Sequence, residues 1–324
     1  MTKAIRIDAH GGPEVLKFVD IALPRPGKGE VQVAIKAIGM NFIDIYQRSG
    51  LYPQALPFVP GGEMCGEVIA VGRGVQDLYV GDRVACATAG HGCYAEAANI
   101  SAGKLVRVPR GISDETAAAM LLKGMTAQYL LRQVYRVGKD DTILVHAAAG
   151  GVGLIMGQWA KALGTTVIGT VGSAAKVKLA RAHGYDHVID TSRKDFVREV
   201  KRITRGAMLP VVYDSIGADS FPASLDCLHK CGLFVSYGNA SGPVPAFAPA
   251  LLAQKGSLFM TRPTLFDFVR TRAELDAVAG ELFRVVKQGK VKIEVHQRYA
   301  LQDAGQAQRD LAERRTTGSS VLLP

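Results

Sequence analysis

The stretch DTILVHAAAGGVGLIMGQWAKALG, Asp141 to Gly164, decides the reading of this chain. Thr142 to His146 form a short apolar run, Ala147 to Gly153 supply small residues where the backbone must turn tightly, and Leu154 to Leu163 follow a helical pattern. Strand, glycine turn and helix in that order are what a dinucleotide site requires. Glycines let the main chain approach a pyrophosphate, and the free N–H groups at the positive end of the helix stabilise its charge. An ordinary strand-to-helix turn is the competing reading, and the register of all three parts argues against it.

Downstream of this stretch, strands and helices alternate. Strands are expected at Thr165–Val171, His187–Asp190, Val211–Asp214, Leu233–Tyr237 and Ser257–Thr261, with helices such as Ala174–His183 and Lys194–Thr204 between them. Such βα units predict a doubly wound parallel sheet with right-handed crossovers. Upstream, residues 4 to 108 read as short strands broken by Gly, Pro and Asp, the pattern of a partly closed β-barrel. The segment GMNFIDIYQRSGLYP, Gly39 to Pro53, interrupts that alternation with Asn41, Asp44, Tyr46, Arg48 and Tyr52, the composition of a ligand-facing loop or short helix. After Leu265 the chain reads as helix (Arg272–Gln288), strand (Val291–Tyr299), helix (Asp303–Arg314) and a terminal apolar strand, which we expect to return to the amino-terminal domain.

Composition narrows the class. At 324 residues the chain is long enough for two domains at roughly 150 residues each. No run approaches the ~18 apolar residues of a membrane span, and MTKAIRIDAHGG lacks a signal core, so a cytoplasmic location is the expectation. Five cysteines make no disulfide framework in a chain of this size. The net charge of +10 is spread over scattered Lys and Arg with no aromatic-interleaved basic strip, which argues against nucleic acid as a partner.

The choice between NAD and NADP rests on the end of the second strand. An NAD site places a carboxylate about 20 residues beyond the glycines to accept hydrogen bonds from the adenosine ribose. TTVIGTVGSAAK instead ends in Gly172 and Ser173, with Lys176 one turn later. A 2′-phosphate fits there: Ser173 can donate, Lys176 supplies charge and no carboxylate repels it, so NADPH is the expected cofactor. His146, abutting the glycines on an apolar strand, reads as a buried hydrogen-bonded residue rather than a base. Cys93 and Tyr94 read as barrel filling.

HAAAGGVG, GMNFIDIYQRSGLYP, LLKGMTAQYLL, VVYDSIG, VSYGNASG, TRPTL and RRTTGSSVLLP together resemble the zeta-crystallin-type NADPH quinone oxidoreductases, the zinc-independent branch of the medium-chain dehydrogenase/reductase superfamily. The resemblance runs nearly end to end. It implies an α/β fold in which a GroES-like β-barrel catalytic domain (1–123 and 266–324, discontinuous) is interrupted by a Rossmann NADPH-binding domain (124–265), with the site in the cleft between them. Zinc alcohol dehydrogenases carry a cysteine where this chain has Asn41 and a histidine within the segment Gly61–Gly62–Glu63, so no metal is expected.

By the same resemblance the cofactor is held by Lys123, Thr126, Ala148, Gly150, Gly151, Val152, Gly153, Gly172, Ser173, Lys176, Thr191, Ile216, Tyr237, Gly238, Asn239 and Arg314, with Arg315 an alternative owner of the last role. Thr191 stands where the family often has a tyrosine. Tyr46, Tyr52, Asn41 and Asp44 are the implied catalytic groups. The implied reaction is hydride transfer from NADPH to a small-molecule quinone. An enone or enal reductase is the alternative, and an NADPH-sensitive RNA-binding or structural crystallin-like protein is the alternative of another class. A homodimer is implied, with the edge around Ser257 to Thr261 as its seam.

Overall fold

The computed structural model describes all residues, Met1 to Pro324. Two compact units make up the chain: one of residues 1–125, 269–287 and 293–324, the other of residues 126–268 and 288–292.

The first unit is predominantly β. Its strands are β1 (Thr2–Arg6), β2 (Lys17–Ile21), β3 (Glu30–Gly39), β4 (Glu63–Val71), β5 (Arg83–Cys86), β6 (Ala97–Ser101) and β7 (Val106–Arg107), and helix α1 (Phe42–Ser49) leaves β3 directly. Helix α2 (Asp114–Tyr129) follows, and the division between units falls within it. β1 and β2 pair as a small antiparallel ribbon. The long strand β3 lies against β4 on one side and against β6 on the other, so it is buried and carries Val31, Val33, Ile35 and Ile38 into a core shared with Met64, Val68, Val84 and Leu105.

The second unit contains the doubly wound sheet. Its strands are β8 (Thr142–Val145), β9 (Thr166–Val171), β10 (His187–Asp190), β11 (Leu209–Asp214), β12 (Leu228–Ser236) and β13 (Phe259–Thr261). They lie in the order β10-β9-β8-β11-β12-β13, and every pair is parallel. Helices α3 (Gly151–Ala162), α4 (Val177–Ala182), α5 (Phe196–Ile203) and α6 (Ala250–Gln254) connect them. Strand order reverses between β8 and β11, and in such sheets the crevice for a ligand opens at the carboxyl ends of the strands at that switch point. Near-continuous apolar runs such as Thr142–Val145 and Thr166–Val171 form these strands because parallel sheets are covered on both faces.

The carboxyl-terminal segment returns to the first unit. Helix α7 (Arg272–Lys287), β14 (Val295–Ala300), α8 (Ala304–Ala312) and β15 (Ser319–Leu323) complete the chain. β15 lies between β14 and β3, antiparallel to the latter, and Ser319 Oγ donates to the Ala119 carbonyl of α2 at 3.0 Å. The expected fold class, a doubly wound parallel sheet beside a β-rich domain, is the one observed. No helix is long and apolar enough to cross a membrane.

Candidate active site

The switch point of the second unit is built by backbone. β8 ends at Val145, Ala147 takes a left-handed φ of 54°, and Gly150 N-caps the twelve-residue helix α3 without a side-chain capping bond. The first-turn N–H groups of α3 are therefore available to an anion, reinforced by the helix dipole. Gly153 is required at its position: a Cβ there would collide with the Ala147 carbonyl oxygen. The turn sits close on the sheet because Tyr185, fully buried, donates its hydroxyl to the Gly153 carbonyl at 2.6 Å and fills the space that side chains at Gly157 and Gly169 would need.

Around this turn the other strand ends converge. Gly172, just past β9, faces open space, and Ser173 and Lys176 begin and end the short turn that follows. Thr191, exposed after β10, ties itself to the Val171 carbonyl through both its N–H (2.9 Å) and its hydroxyl (3.1 Å). At the end of β11, Asp214 is wholly buried and accepts from the N–H groups of Ile216 (2.7 Å) and Gly217 (3.1 Å) and from Ser220 Oγ (2.6 Å) and Ser224 Oγ (3.1 Å). That carboxylate shapes the loop carrying Ile216. Tyr237, Gly238 and Asn239 follow β12, with the Tyr237 N–H bonded to the Asp214 carbonyl at 2.7 Å. His146 contacts Thr170 Oγ1 through Nδ1 (2.9 Å) and Ser224 Oγ through Nε2 (3.0 Å); burial holds its pKa below the usual 6.5. It is a buried, hydrogen-bonded histidine, as its apolar strand suggests.

The first unit presents a different construction, made of side chains. Asn41 N-caps α1, its N–H donates to Asp44 Oδ2 (2.9 Å), and its amide Nδ2 donates to Glu63 Oε2 (2.7 Å). Glu63, at the start of β4 and fully buried, also accepts from the Lys123 ammonium (3.2 Å) and from the Leu122 N–H of α2 (2.7 Å). Asp44 receives the Tyr94 hydroxyl at 3.0 Å, its second oxygen has no partner, and burial raises its pKa to about 7. Tyr94 thus does more than fill the barrel: it supports the carboxyl that caps α1.

Tyr46 and Tyr52 lie edge to face with ring centroids 5.2 Å apart, Tyr46 buried and Tyr52 partly exposed, and the Tyr52 N–H bonds the Tyr46 carbonyl at 3.0 Å. Lys123 is buried near the middle of α2, and Thr126, also buried, lies one turn on. Arg314, exposed, follows α8 with a left-handed φ of 60°. The guanidinium of its neighbour Arg315 is held by Asp310 (3.1 Å) and by Glu313.

The structure brings Asn41, Asp44 and Lys123 into one cluster, pairs Tyr46 with Tyr52, and gathers Ala148–Gly153, Ile216 and Tyr237–Asn239 at the ends of central strands. Glu63, Tyr94, Tyr185 and Asp214 are site-forming residues that sequence reasoning missed. An ionisable Glu inside the apolar run GEMCG was the available signal for the first of them. No group of three or more His, Cys, Asp or Glu side chains is arranged to hold a metal ion.

Comparison with known proteins adds to this geometry. Residues 27–110 match the family model described as alcohol dehydrogenase GroES-like domain, and residues 151–281 match the model described as zinc-binding dehydrogenase. The chain is 53% identical to a quinone oxidoreductase of Pseudomonas aeruginosa, with 100% of each chain covered. It is similar to the crystal structure of the Escherichia coli quinone oxidoreductase complexed with NADPH, with a TM-score of 0.98, 48% identity and 99% and 100% of the two chains covered. A 2-haloacrylate reductase from a Burkholderia species is 42% identical, covering 100% of this chain and 99% of that one.

Proposed function

The chain belongs to the quinone oxidoreductase family of the medium-chain dehydrogenases, and from that membership we propose how its two residue constellations divide the NADPH-dependent reduction of a quinone. The observation that carries the reading is the uncapped start of α3, with Gly153 pressed against the Ala147 carbonyl and open space rather than a carboxylate at Gly172. That cradle suits a pyrophosphate and an adenosine 2′-phosphate, so the residues present fit NADPH.

When bound, the reduced nicotinamide supplies the hydride. Gly151, Val152 and Gly153 would hold the pyrophosphate through the first-turn N–H groups of α3, and Ala148 and Gly150, whose own N–H groups bond the Thr170 and Ala147 carbonyls at 2.9 Å each, shape the turn that lets it approach. Gly172, Ser173, Lys176 and Thr191 receive the adenosine end, where Lys176 offsets the 2′-phosphate charge. Ile216, Tyr237, Gly238 and Asn239 wall the middle of the cofactor, and Lys123, Thr126 and Arg314 complete its contacts. Tyr46 and Tyr52 present hydroxyls to the quinone oxygen on which negative charge develops, and one proton from solvent or these donors completes the hydroquinone. Asn41 and Asp44 fix the start of α1, which carries Tyr46, and Tyr52 packs against Tyr46 from the segment that follows the helix.

This chemistry needs no Lewis acid, because a quinone is already electron-poor and Glu63 takes its positive partner from Lys123. The assembly is a homodimer through the edge strand β13, whose Phe259 is 62% exposed. The compartment is the cytoplasm, where the five free thiols stay reduced.

The test is NADPH oxidation, with and without a chelator, against para- and ortho-quinones, enals, enones, 2-haloacrylates and simple alcohols. Quinone-selective turnover unaffected by the chelator is expected. Fast reduction of an activated alkene with no quinone turnover would overturn the acceptor, and loss of activity on chelation would overturn the metal-free step.

A further inference from the structure

We propose that Glu63 is a positioning residue for turnover: its buried carboxylate aims the Lys123 ammonium and fixes the Asn41 amide. This rests on the reading of Lys123 as a cofactor contact given above. Three donors converge on this one side chain, from the start of α1 (Asn41 Nδ2, 2.7 Å), from the α2 backbone (Leu122 N–H, 2.7 Å) and from the α2 side chain Lys123 (3.2 Å). A lone buried carboxylate is strongly disfavoured, so its three donors are what make it tolerable. The fold makes room for it: a Cβ at Gly39 would collide with Glu63 Oε2 and with the Ala118 carbonyl, so only glycine lets the end of β3 pass over the carboxylate.

Lys123 is otherwise unsupported. Its side chain is 7% exposed and its one hydrogen bond is to Glu63. An ammonium has three N–H groups, so two remain directed away from Glu63 for a bound group. The lysine stem has several rotatable bonds, and Glu63 selects among the positions it can take. A misplacement of about 1 Å at such a contact costs on the order of 100-fold in rate. Cofactor affinity, by contrast, comes mainly from the backbone cradle of the second unit.

A double-mutant cycle tests this. Wild type, Glu63→Gln, Lys123→Met and the double variant are compared for kcat, for NADPH dissociation constant by nicotinamide fluorescence, and for thermal unfolding. The acceptor is whichever one the wild type reduces fastest, so the wild-type measurement decides the quinone reading before any variant is compared. Glu63→Gln is expected to lower kcat between about 10- and 100-fold while the NADPH constant moves less than about threefold. The double variant is expected to be no slower than Lys123→Met alone, because Glu63 acts on the rate through Lys123 while the amide oxygen of the substituting glutamine still accepts from Asn41 Nδ2.

Additive losses in the cycle, or a kcat unchanged in folded Glu63→Gln, would overturn the proposal. So would a fall in NADPH affinity as large as the fall in kcat. Should Glu63→Gln not fold, Glu63→Asp carries the test, since it keeps the charge and shortens the reach. A lower kcat at constant NADPH affinity supports the proposal, and wild-type kcat contradicts it.

Discussion

Between Ala147 and Gly153 the chain presents backbone alone, the uncapped N–H groups of a helix start, whereas between Asn41 and Lys123 it buries ionisable side chains against one another. The first arrangement is economical because helix-terminal N–H groups are unsatisfied in any case, and a bound phosphate answers them. The second is costly to assemble. Glu63 must be matched by Lys123 and by two further donors, and Asp44 is pushed toward its neutral form by burial. The difference teaches which part supplies affinity and which supplies alignment. A backbone cradle holds a ligand whose charge is fixed, while a side-chain cluster with defined donors sets where the reacting groups stand.

The largest effect should come from spoiling the cradle. Gly153→Ala places a methyl group against the Ala147 carbonyl, a backbone atom that cannot yield cheaply. NADPH affinity should fall by at least about 100-fold, roughly 2.7 kcal/mol, in a direct titration. Retained affinity would mean that the turn does not approach the cofactor. Lys176→Ala should act more mildly and more selectively. NADPH binding should weaken about tenfold, near 1.4 kcal/mol, with NADH binding changed less than about twofold. Equal weakening of the two cofactors would remove Lys176 from the 2′-phosphate contact.

The smallest effect concerns Asp44, and it appears in stability against pH. Its folded pKa of about 7 lies above the ordinary 3.8 of an aspartate because burial disfavours the charge, opposed by the Asn41 N–H, Tyr94 and Lys123 and aided by Glu63. The folded state therefore binds this proton more tightly, and the contribution is full below pH ~3.8 and is lost as pH rises through ~7. Asp44→Asn imitates the neutral form. Its melting temperature relative to wild type should rise by about 3 °C between pH 5 and pH 8. A constant difference across that range would show that Asp44 does not titrate there.

The same contrast explains what could be read from the sequence. The cradle lies within one contiguous stretch, and the strand, turn and helix periods name it directly. The cluster draws on residues 41, 44, 63, 94 and 123, which no local spacing connects. Asn41 and Asp44 were legible only as a dense polar segment, and Glu63 only as a landmark. Element ends moved where pairing overrode local pattern: the run KLVRVP yields only Val106–Arg107, and the strand expected from Val291 begins at Val295, where pairing with β15 begins. The helix expected from Ala174 starts as a tight turn, Ala174–Lys176, and becomes α-helical at Val177. Tyr185 was not legible, since a tyrosine in the turn between α4 and β10 carries no sign that its hydroxyl will reach Gly153.

The measurement that bears most directly on the whole account is a single-turnover experiment in which the NADPH-loaded protein is mixed rapidly with one equivalent of a para-quinone and nicotinamide absorbance is followed. The bound NADPH is expected to be oxidised in a quinone-dependent phase that is unchanged by a metal chelator, with a much slower phase when NADH replaces NADPH at equal concentration. Persistence of the NADPH absorbance in the presence of the quinone would contradict it.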